Sequence, residues 1–402
     1  MRKTSMNRAR GLLVCGILGL WACGPLERQH AVPAQDVDRV TVVGIPNGRF
    51  YPNLDAGALA AEVKAAHERE VAWYRSEGHK GPLPPAYLLA ISGGGDDGAF
   101  GAGLLTGWTK RGDRPKFKLV TGVSTGALTA PFAFLGPEYD DALTEVYTRI
   151  SPDSIFTKRS FFAAFTSDGL SDNAPLYRTV SKYLTMDMMG RIAVEYDRGR
   201  LLLIASTQFD AARTVIWNVG AIAKTGTPEA LELIRRLLVA SAAVPGAFPP
   251  TMIDVEVNGK KYQEMHVDGG AMAQVFLYPP TVSLKAIDNA EHFQRKRVAY
   301  VIRNSKLSAP WEDVPRHTLT IVGRAVSMLL ASDGAGDMYR IYAESKRDGV
   351  DLNIAYIDTD FTAAYVGPFD PAYMVPLYQY GHDLGQRGYT WKKVPPGFAS
   401  PP

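Results

Sequence analysis

Ser124 stands at the centre of Gly122-Val123-Ser124-Thr125-Gly126, a spacing that suits a serine to attack on a carbonyl carbon. A serine hydroxyl is a weak nucleophile until a base takes its proton. It must also stand clear of the backbone, which Gly-x-Ser-x-Gly achieves on a sharp turn between a strand and a helix. The flanking glycines remove side chains that would collide there. The pattern is weak by itself. Here Lys118-Leu-Val-Thr121 precedes it and an apolar helical stretch follows, which favours the strained turn over a flexible one.

Acyl chemistry also needs N–H donors aimed at the oxygen that gains charge. Gly93-Gly94-Gly95, after an apolar strand and before a helix, supplies such amides. Gly93, Gly95 and Gly98 also match the G-x-G-x-x-G of a dinucleotide-binding turn. That motif requires an acid near the end of the next strand. This chain has Gly122-x-Ser124-x-Gly126 there, so the oxyanion reading is preferred.

The usual base is a histidine. His30, His67, His79, His266, His292, His317 and His382 are available, and none lies in an obvious catalytic turn. His382 comes late enough to complete a Ser–Asp–His order but falls in a helical pattern; His317 is the other triad candidate. Asp268 is the better partner. It closes a short strand in Met265-His-Val-Asp268-Gly269-Gly270, where two glycines let another backbone approach.

In this order, the glycine loop, the serine turn and Asp-Gly-Gly resemble the patatin-like phospholipases. Ala240-Ser-Ala-Ala-Val-Pro245-Gly-Ala-Phe248-Pro249-Pro250 is similar to that family's Ala-Ser…Pro…Phe-Pro segment. Asp172-Asn-Ala-Pro175-Leu176-Tyr-Arg178 is similar to its Pro-Leu segment before a helix. The resemblance covers about residues 86–280. It implies hydrolysis of lipid acyl esters by a Ser–Asp dyad through an acyl-serine, without metal or other cofactor. Carried over by position, Ser124 is the nucleophile, Asp268 the base, and the amides of Gly93, Gly94 and Gly95 the oxyanion hole. Gly98, Gly122, Gly126, Gly269 and Gly270 complete the motifs.

An aspartate of ordinary pKa, about 4, is a weak base at neutral pH. It serves when partly desolvated and aimed by a hydrogen bond. His266 then needs no catalytic role and is expected to pack beside the strand. One departure matters: the family carries Arg or Lys directly before the last glycine of its loop, where this chain has Asp96 and Asp97. An acid there opposes the developing charge unless its side chain is paired or turned away; the simplest expectation is that both face solvent. Three alternatives stay open. One is a Ser–His–Asp esterase using His382 or His317, the second a lipid-binding protein whose catalysis Asp96 and Asp97 have impaired, and the third a nucleotide-binding oxidoreductase, which would carry a tightly bound cofactor when purified.

Strands alternating with helices along the chain argue for an α/β fold, with a largely parallel central sheet flanked by helices and a strand–elbow–helix unit at its middle. Strands are expected at 87–91, 117–120, 199–206, 214–219, 297–302 and 352–357. Helices are expected at about 56–75, 99–110, 125–135, 228–240 and 318–330, the first capped by Asp55. Asn258-Gly259 marks a hairpin. The aromatic stretches 160–165 and 276–278 are either core, which is commoner, or walls of an acyl groove. Residues 365–380 are expected to pack the last helix.

The 402-residue chain is 46% hydrophobic and 21% charged, an ordinary globular balance with enough apolar surface to enclose a site. Arg2, Lys3, Arg8 and Arg10 precede an apolar stretch from Gly11 to Trp21, as in a secretory leader. Ala22-Cys23 resembles the lipobox of bacterial lipoproteins, so Cys23 is the expected lipidation site. Gly24, rather than an acid, favours the periplasmic face of the outer membrane over the inner membrane. The expected organisation is leader 1–22, tether and first helix 23–85, and catalytic domain 86–402. Within that domain 86–280 bears the motifs and 281–402 is an extension. Cys15 and Cys23 are the only cysteines, which excludes a disulfide, a thiol nucleophile and a thiolate metal site from the body. The four leader cations come without an acid, so the formal charge of +3 becomes −1 on cleavage. With no basic cluster, nucleic acid is not an expected partner. The expected partners are an acyl-ester lipid and the anchoring membrane; no protein partner is indicated.

Overall fold

The computed structural model of the chain describes residues 28–42, 44–52, 54–158, 167–291, 295–307 and 311–398. The leader, Cys23, the aromatic run at 160–165 and His292 lie outside the described residues. Among the described residues nine strands form one sheet: β1 (Arg49–Phe50), β2 (Ala86–Ile91), β3 (Leu119–Val123), β4 (Leu201–Gln208), β5 (Arg213–Asn218), β6 (Thr251–Val257), β7 (Lys260–Asp268), β8 (Arg297–Lys306) and β9 (Asp351–Ile357). The order is β1-β5-β4-β3-β2-β8-β9; β4 also pairs with β7, which forms a hairpin with β6.

The five strands β4, β3, β2, β8 and β9 are parallel. The other pairings are antiparallel, so the sheet is more mixed than the sequence pattern suggests. β2 shows why the parallel strands read as continuous apolar runs. Leu89 and Ile91 enter the core on one face, Leu88 and Ala90 the core on the other.

Helices cover both faces. They are α1 (Ala56–Ser76), α2 (Gly98–Arg111), α3 (Thr125–Leu135), α4 (Asp140–Thr148), α5 (Ala174–Tyr183), α6 (Met186–Asp197), α7 (Val219–Ala223), α8 (Pro228–Ser241), α9 (Leu284–Glu291), α10 (Thr318–Asp348) and α11 (Pro371–Arg387). α2, α3, α8 and α11 share the core of Leu89 and Ile91, whereas Leu59 of α1, Leu284 of α9 and Met338 of α10 share the other.

Several expectations change. Asp55 does not cap α1 with its side chain; its Oδ2 accepts the Tyr51 N–H at 2.8 Å. The packed face of α1 buries Glu62 and Glu70 beside Leu59 and Ala66, with Glu70 bonded to both Arg295 and Lys118. α10 continues to Asp348, well past residue 330. Phe276, Leu277 and Tyr278 are core residues. The hairpin turn stands as expected, with Asn258 and Gly259 both left-handed at φ 51° and 73°.

β2 sits where the strand order reverses, with β3 on one side and β8 on the other. Ligands of open α/β sheets bind beyond the carboxyl ends of strands at such a point. Ser92, Ser124 and Asn304 all lie at that end.

Candidate active site

β3 ends at Val123 and α3 begins at Thr125, so Ser124 alone makes the turn. Its φ of 53° and ψ of −125° are strained for a residue with a side chain, at a cost of about 1–3 kcal/mol. Gly126 permits the close packing beneath it: a Cβ there would stand 2.2 Å from the Ile91 carbonyl oxygen. Ser241, at the end of α8, holds the turn. Its Oγ accepts the Ser124 N–H at 2.9 Å and donates to the Ala205 carbonyl at 2.6 Å.

β4 outruns β3. Val123 pairs with Ala205, and beyond that rung Ser206, Thr207 and Gln208 pair instead with Asp268, Val267 and His266 of β7. β7 thus takes the place that β3 leaves, and its last residue comes beside the serine. Asp268 is 4% exposed. Its Oδ1 accepts the Gly270 N–H at 2.7 Å, while Oδ2 is buried without a partner of ordinary hydrogen-bond geometry among the described residues. Burial pushes the carboxyl up to about 7, and the Ser124 hydroxyl and the Gly270 amide pull the other way. The serine hydroxyl is therefore close enough to bias Asp268 but not aligned on Oδ2, as is common before substrate tightens a site.

His266 is fully buried and engaged elsewhere. Burial lowers its pKa, so the ring is neutral. Burial alone would raise the Glu264 carboxyl, but bonds from His266 and the Arg49 guanidinium outweigh it and hold Glu264 at about 2. An ionised Glu264 only accepts, which makes His266 Nε2 the donor at 3.0 Å and Nδ1 the acceptor from Ser206 Oγ at 2.9 Å. Trp217 Nε1 donates to the same Ser206 oxygen at 2.8 Å. The network fixes the β4–β7 register that delivers Asp268, and it leaves His266 no role as base. His382 and His317 do not join the site either. His382 packs its backbone against Gly107 of α2 and stacks on Tyr378, and His317 is an exposed residue at the start of α10.

The glycine loop lies directly against Ser124, whose Cβ is 3.2 Å from where a Cβ on Gly93 would stand. The three loop amides are not equivalent. Gly93 N–H already donates to the Gln274 carbonyl at 2.9 Å. Gly94 and Gly95 follow at φ 153° and 60° and open the turn into α2, where leading N–H groups have no intrahelical acceptor. Asn304, at the end of β8, clamps the loop. Its Nδ2 donates to the Ser92 carbonyl at 3.0 Å and its N–H to Ser92 Oγ at 2.8 Å. Its own carbonyl oxygen would lie 1.9 Å from a Cβ on Gly94. Gln274 ties the loop to the aspartate turn, donating to the Gly270 carbonyl at 3.0 Å. Sequence reasoning missed Asn304 and Gln274. A polar Arg303-Asn304 closing an apolar strand was the one available signal for the former, and Gln274 belongs to no motif.

Asp96 and Asp97 do not face solvent. Asp96 Oδ2 accepts the Phe369 N–H at 3.0 Å, and Asp97 Oδ1 accepts from the Tyr373 hydroxyl at 2.6 Å. Burial raises both carboxyls, Asp97 to about 7. The aromatic tail therefore does more than pack α11. It pairs the two acids that precede the loop's last glycine.

Residues 89–279 match the family model described as Patatin-like phospholipase. No curated protein sequence matches the chain significantly. Among solved structures, VipD from Legionella pneumophila is similar at a TM-score of 0.36 and 12% identity, covering 76% of this chain. The match spans 66% of that protein's chain, just under two thirds. The matched residues hold the glycine loop, the serine turn and the Asp-Gly-Gly strand end. They identify residues 89–279, just under half of the chain, as a patatin-like phospholipase domain.

Proposed function

We propose that the chain cleaves carboxylic esters of lipids by a Ser124–Asp268 dyad through an acyl-serine intermediate. The observation that carries the reading is a buried carboxyl, raised to about 7, whose Oδ2 accepts no hydrogen bond of ordinary geometry among the described residues and which lies beside a serine on a strained turn. In acylation Asp268 takes the Ser124 proton as Oγ attacks the ester carbonyl. The negative charge that forms on the carbonyl oxygen faces the Gly94 and Gly95 amides. As the C–O bond breaks, the protonated Asp268 returns its proton to the leaving alcohol. In deacylation the same carboxylate takes a proton from the water that attacks the acyl carbonyl, and returns it to Ser124 Oγ as the acyl–Oγ bond breaks and the fatty acid leaves. A proton acceptor with pKa near 7 is well matched to both transfers at neutral pH.

The engagement of His266, and the places of His382 and His317, argue against the triad alternative. The pairing of Asp96 and Asp97 with the tail weakens the case for a catalytically dead binding protein. A lipid anchor on Cys23 would hold this enzyme at a membrane; incorporation of a fatty-acid label by wild type but not by Cys23→Ser would show it.

The test is a fluorophosphonate probe with a panel of phospholipids, lysophospholipids and simple esters. Wild type should label on Ser124 and release fatty acid. Ser124→Ala should do neither. Hydrolysis surviving that substitution would sink the proposal.

A further inference from the structure

The first half of α10 lacks the burial of the second. From Thr318 to Leu329 every described side chain is exposed except the half-buried Arg324, which pairs with Glu312 at 3.1 Å. Ile321, Val322, Met328 and Leu329 are each more than half exposed. At about 100° per residue, Ile321, Val322, Ala325, Val326, Met328 and Leu329 fall within an arc of about 160°. Thr320, Gly323, Arg324 and Ser327 occupy the opposite side. The exposed half is thus an amphipathic helix with its apolar face turned outward.

The second half of α10 is fixed to the site's surroundings. Asp337 Oδ2 accepts the Val275 N–H at 3.0 Å, and the Ala331 carbonyl accepts from Arg303 at 3.2 Å. Gly334 lies against the Gln274 side chain. Gln274 in turn receives the Gly93 N–H of the glycine loop. The apolar half therefore begins about one turn from a residue that borders the nucleophile. Met272, in the turn after Asp268, and Trp311, ahead of the helix, are also exposed.

We propose that residues 320–330 of α10 dock on a lipid surface, setting the mouth of the site against the bilayer that carries the substrate. This rests on the reading of the substrate as a membrane lipid. The apolar arc is wider than the seam by which two helices pair, and the helix that bears it runs on to Gly334 against the Gln274 side chain, which favours a lipid surface over a second copy of the chain. Eleven residues rise about 16 Å, short of a hydrocarbon core of about 30 Å, so the helix lies in the interface and does not span it. Among the described residues no helix is long and apolar enough to cross.

Cys15 and Cys23 are the only native thiols, so their replacement by serine allows a single reporter to be placed on the full chain. An environment-sensitive fluorophore goes on Leu329→Cys in one protein and on Ser327→Cys in another. On addition of phosphatidylcholine vesicles the probe at 329 should shift to the blue and be quenched by spin labels on the acyl chains, and the probe at 327 much less. Met328→Asp with Leu329→Asp should weaken partitioning by about tenfold or more. Each protein is also assayed on a soluble short-chain ester. A probe at 329 that stays in water while the ester is cleaved overturns the docking proposal. So does a probe shielded before vesicles are added, which would mark self-association. Insertion at 329 with no ester cleavage in any protein upholds the docking and overturns the catalytic reading.

Discussion

Asp268 faces Ser206 on the rung immediately past the one where Ala205 pairs with Val123. One strand, β4, therefore serves two neighbours in succession, and their meeting point is where Ser124 and the Asp268 carboxylate come together. If the two act as one unit, their losses do not add. Ser124→Ala and Asp268→Asn should each lower kcat on a lipid ester by about 10³-fold or more, and the double variant hardly further. Steady-state rates on one substrate, with circular dichroism to verify folding, decide this. Near-normal turnover in Asp268→Asn would assign the base elsewhere.

The pH response should separate activity from stability. As the proposed base, Asp268 would act only when ionised, so kcat/KM should rise with pH through about 7. Stability runs the other way. An unfolded aspartate titrates near about 4, so between about 4 and 7 the folded state holds a proton that the unfolded state has released. That contribution is complete below about 4 and is lost as pH rises through 7. Asp97 and Glu344, both raised by burial to about 7, add to the same trend. The denaturation midpoint should be higher at pH 5 than at pH 8, and Asp268→Asn should narrow the gap. An unchanged gap in that variant would show that Asp268 is not the shifted group.

The loop makes a sharper demand at Gly94 than composition suggests. A methyl group there would overlap the Asn304 carbonyl oxygen at 1.9 Å, with the backbone at φ 153°. Gly94→Ala should displace the donors and lower kcat by about 10²–10³-fold. KM should change much less, since the loop donors act on charge that develops only in the transition state. A purely structural effect would appear instead as lost soluble protein, so the melting temperature is read in parallel.

What the sequence revealed was local. Gly122, Gly126 and the Asp268-Gly269-Gly270 end are dictated by backbone stereochemistry and close approach, which leave their mark on residue type. The β4–β7 register is not local. Nothing in Ser206 or Asp268 alone says that they will pair, and the buried Arg49, Glu264 and His266 that secure it lie up to 217 residues apart. The ties made by Ser241, Gln274 and Asn304 are single polar side chains reaching distant backbone, with no periodicity to betray them. α10 runs past residue 330 through Asp333, Gly334 and Gly336, residues of low helix propensity, because packing on residues 274–275 carries the helix through. Asp96 and Asp97 were assigned to solvent because their partners, Phe369 and Tyr373, come some 270 residues later.

Asp97 gives a test of charge at the oxyanion loop. Ionised, it places a negative charge two residues past Gly95; protonated, it does not. With its pKa at about 7, Asp97→Asn should leave turnover near wild type at pH 5.5 and raise it several-fold, about 2–10, at pH 8. The ratio of the two enzymes across that range is the readout. A ratio independent of pH would mean that the carboxyl, held by Tyr373, does not sense the reacting oxygen.

Ser241 tests whether the elbow's strain is maintained from outside. Its Oγ satisfies the Ser124 N–H and is itself anchored on Ala205, the residue that ends the β3–β4 pairing. Ser241→Ala leaves a buried N–H without its acceptor, at a cost of about 1–3 kcal/mol. The strained turn can then relax, and relaxation moves Oγ away from both Asp268 and the glycine loop. The expected result is a fall in kcat larger than the stability loss alone explains, with slower fluorophosphonate labelling. Ser241→Thr, which keeps the hydroxyl, should restore the labelling rate if its added methyl is accommodated, and wild-type labelling in Ser241→Ala would show that β3 and α3 hold Ser124 in place without it.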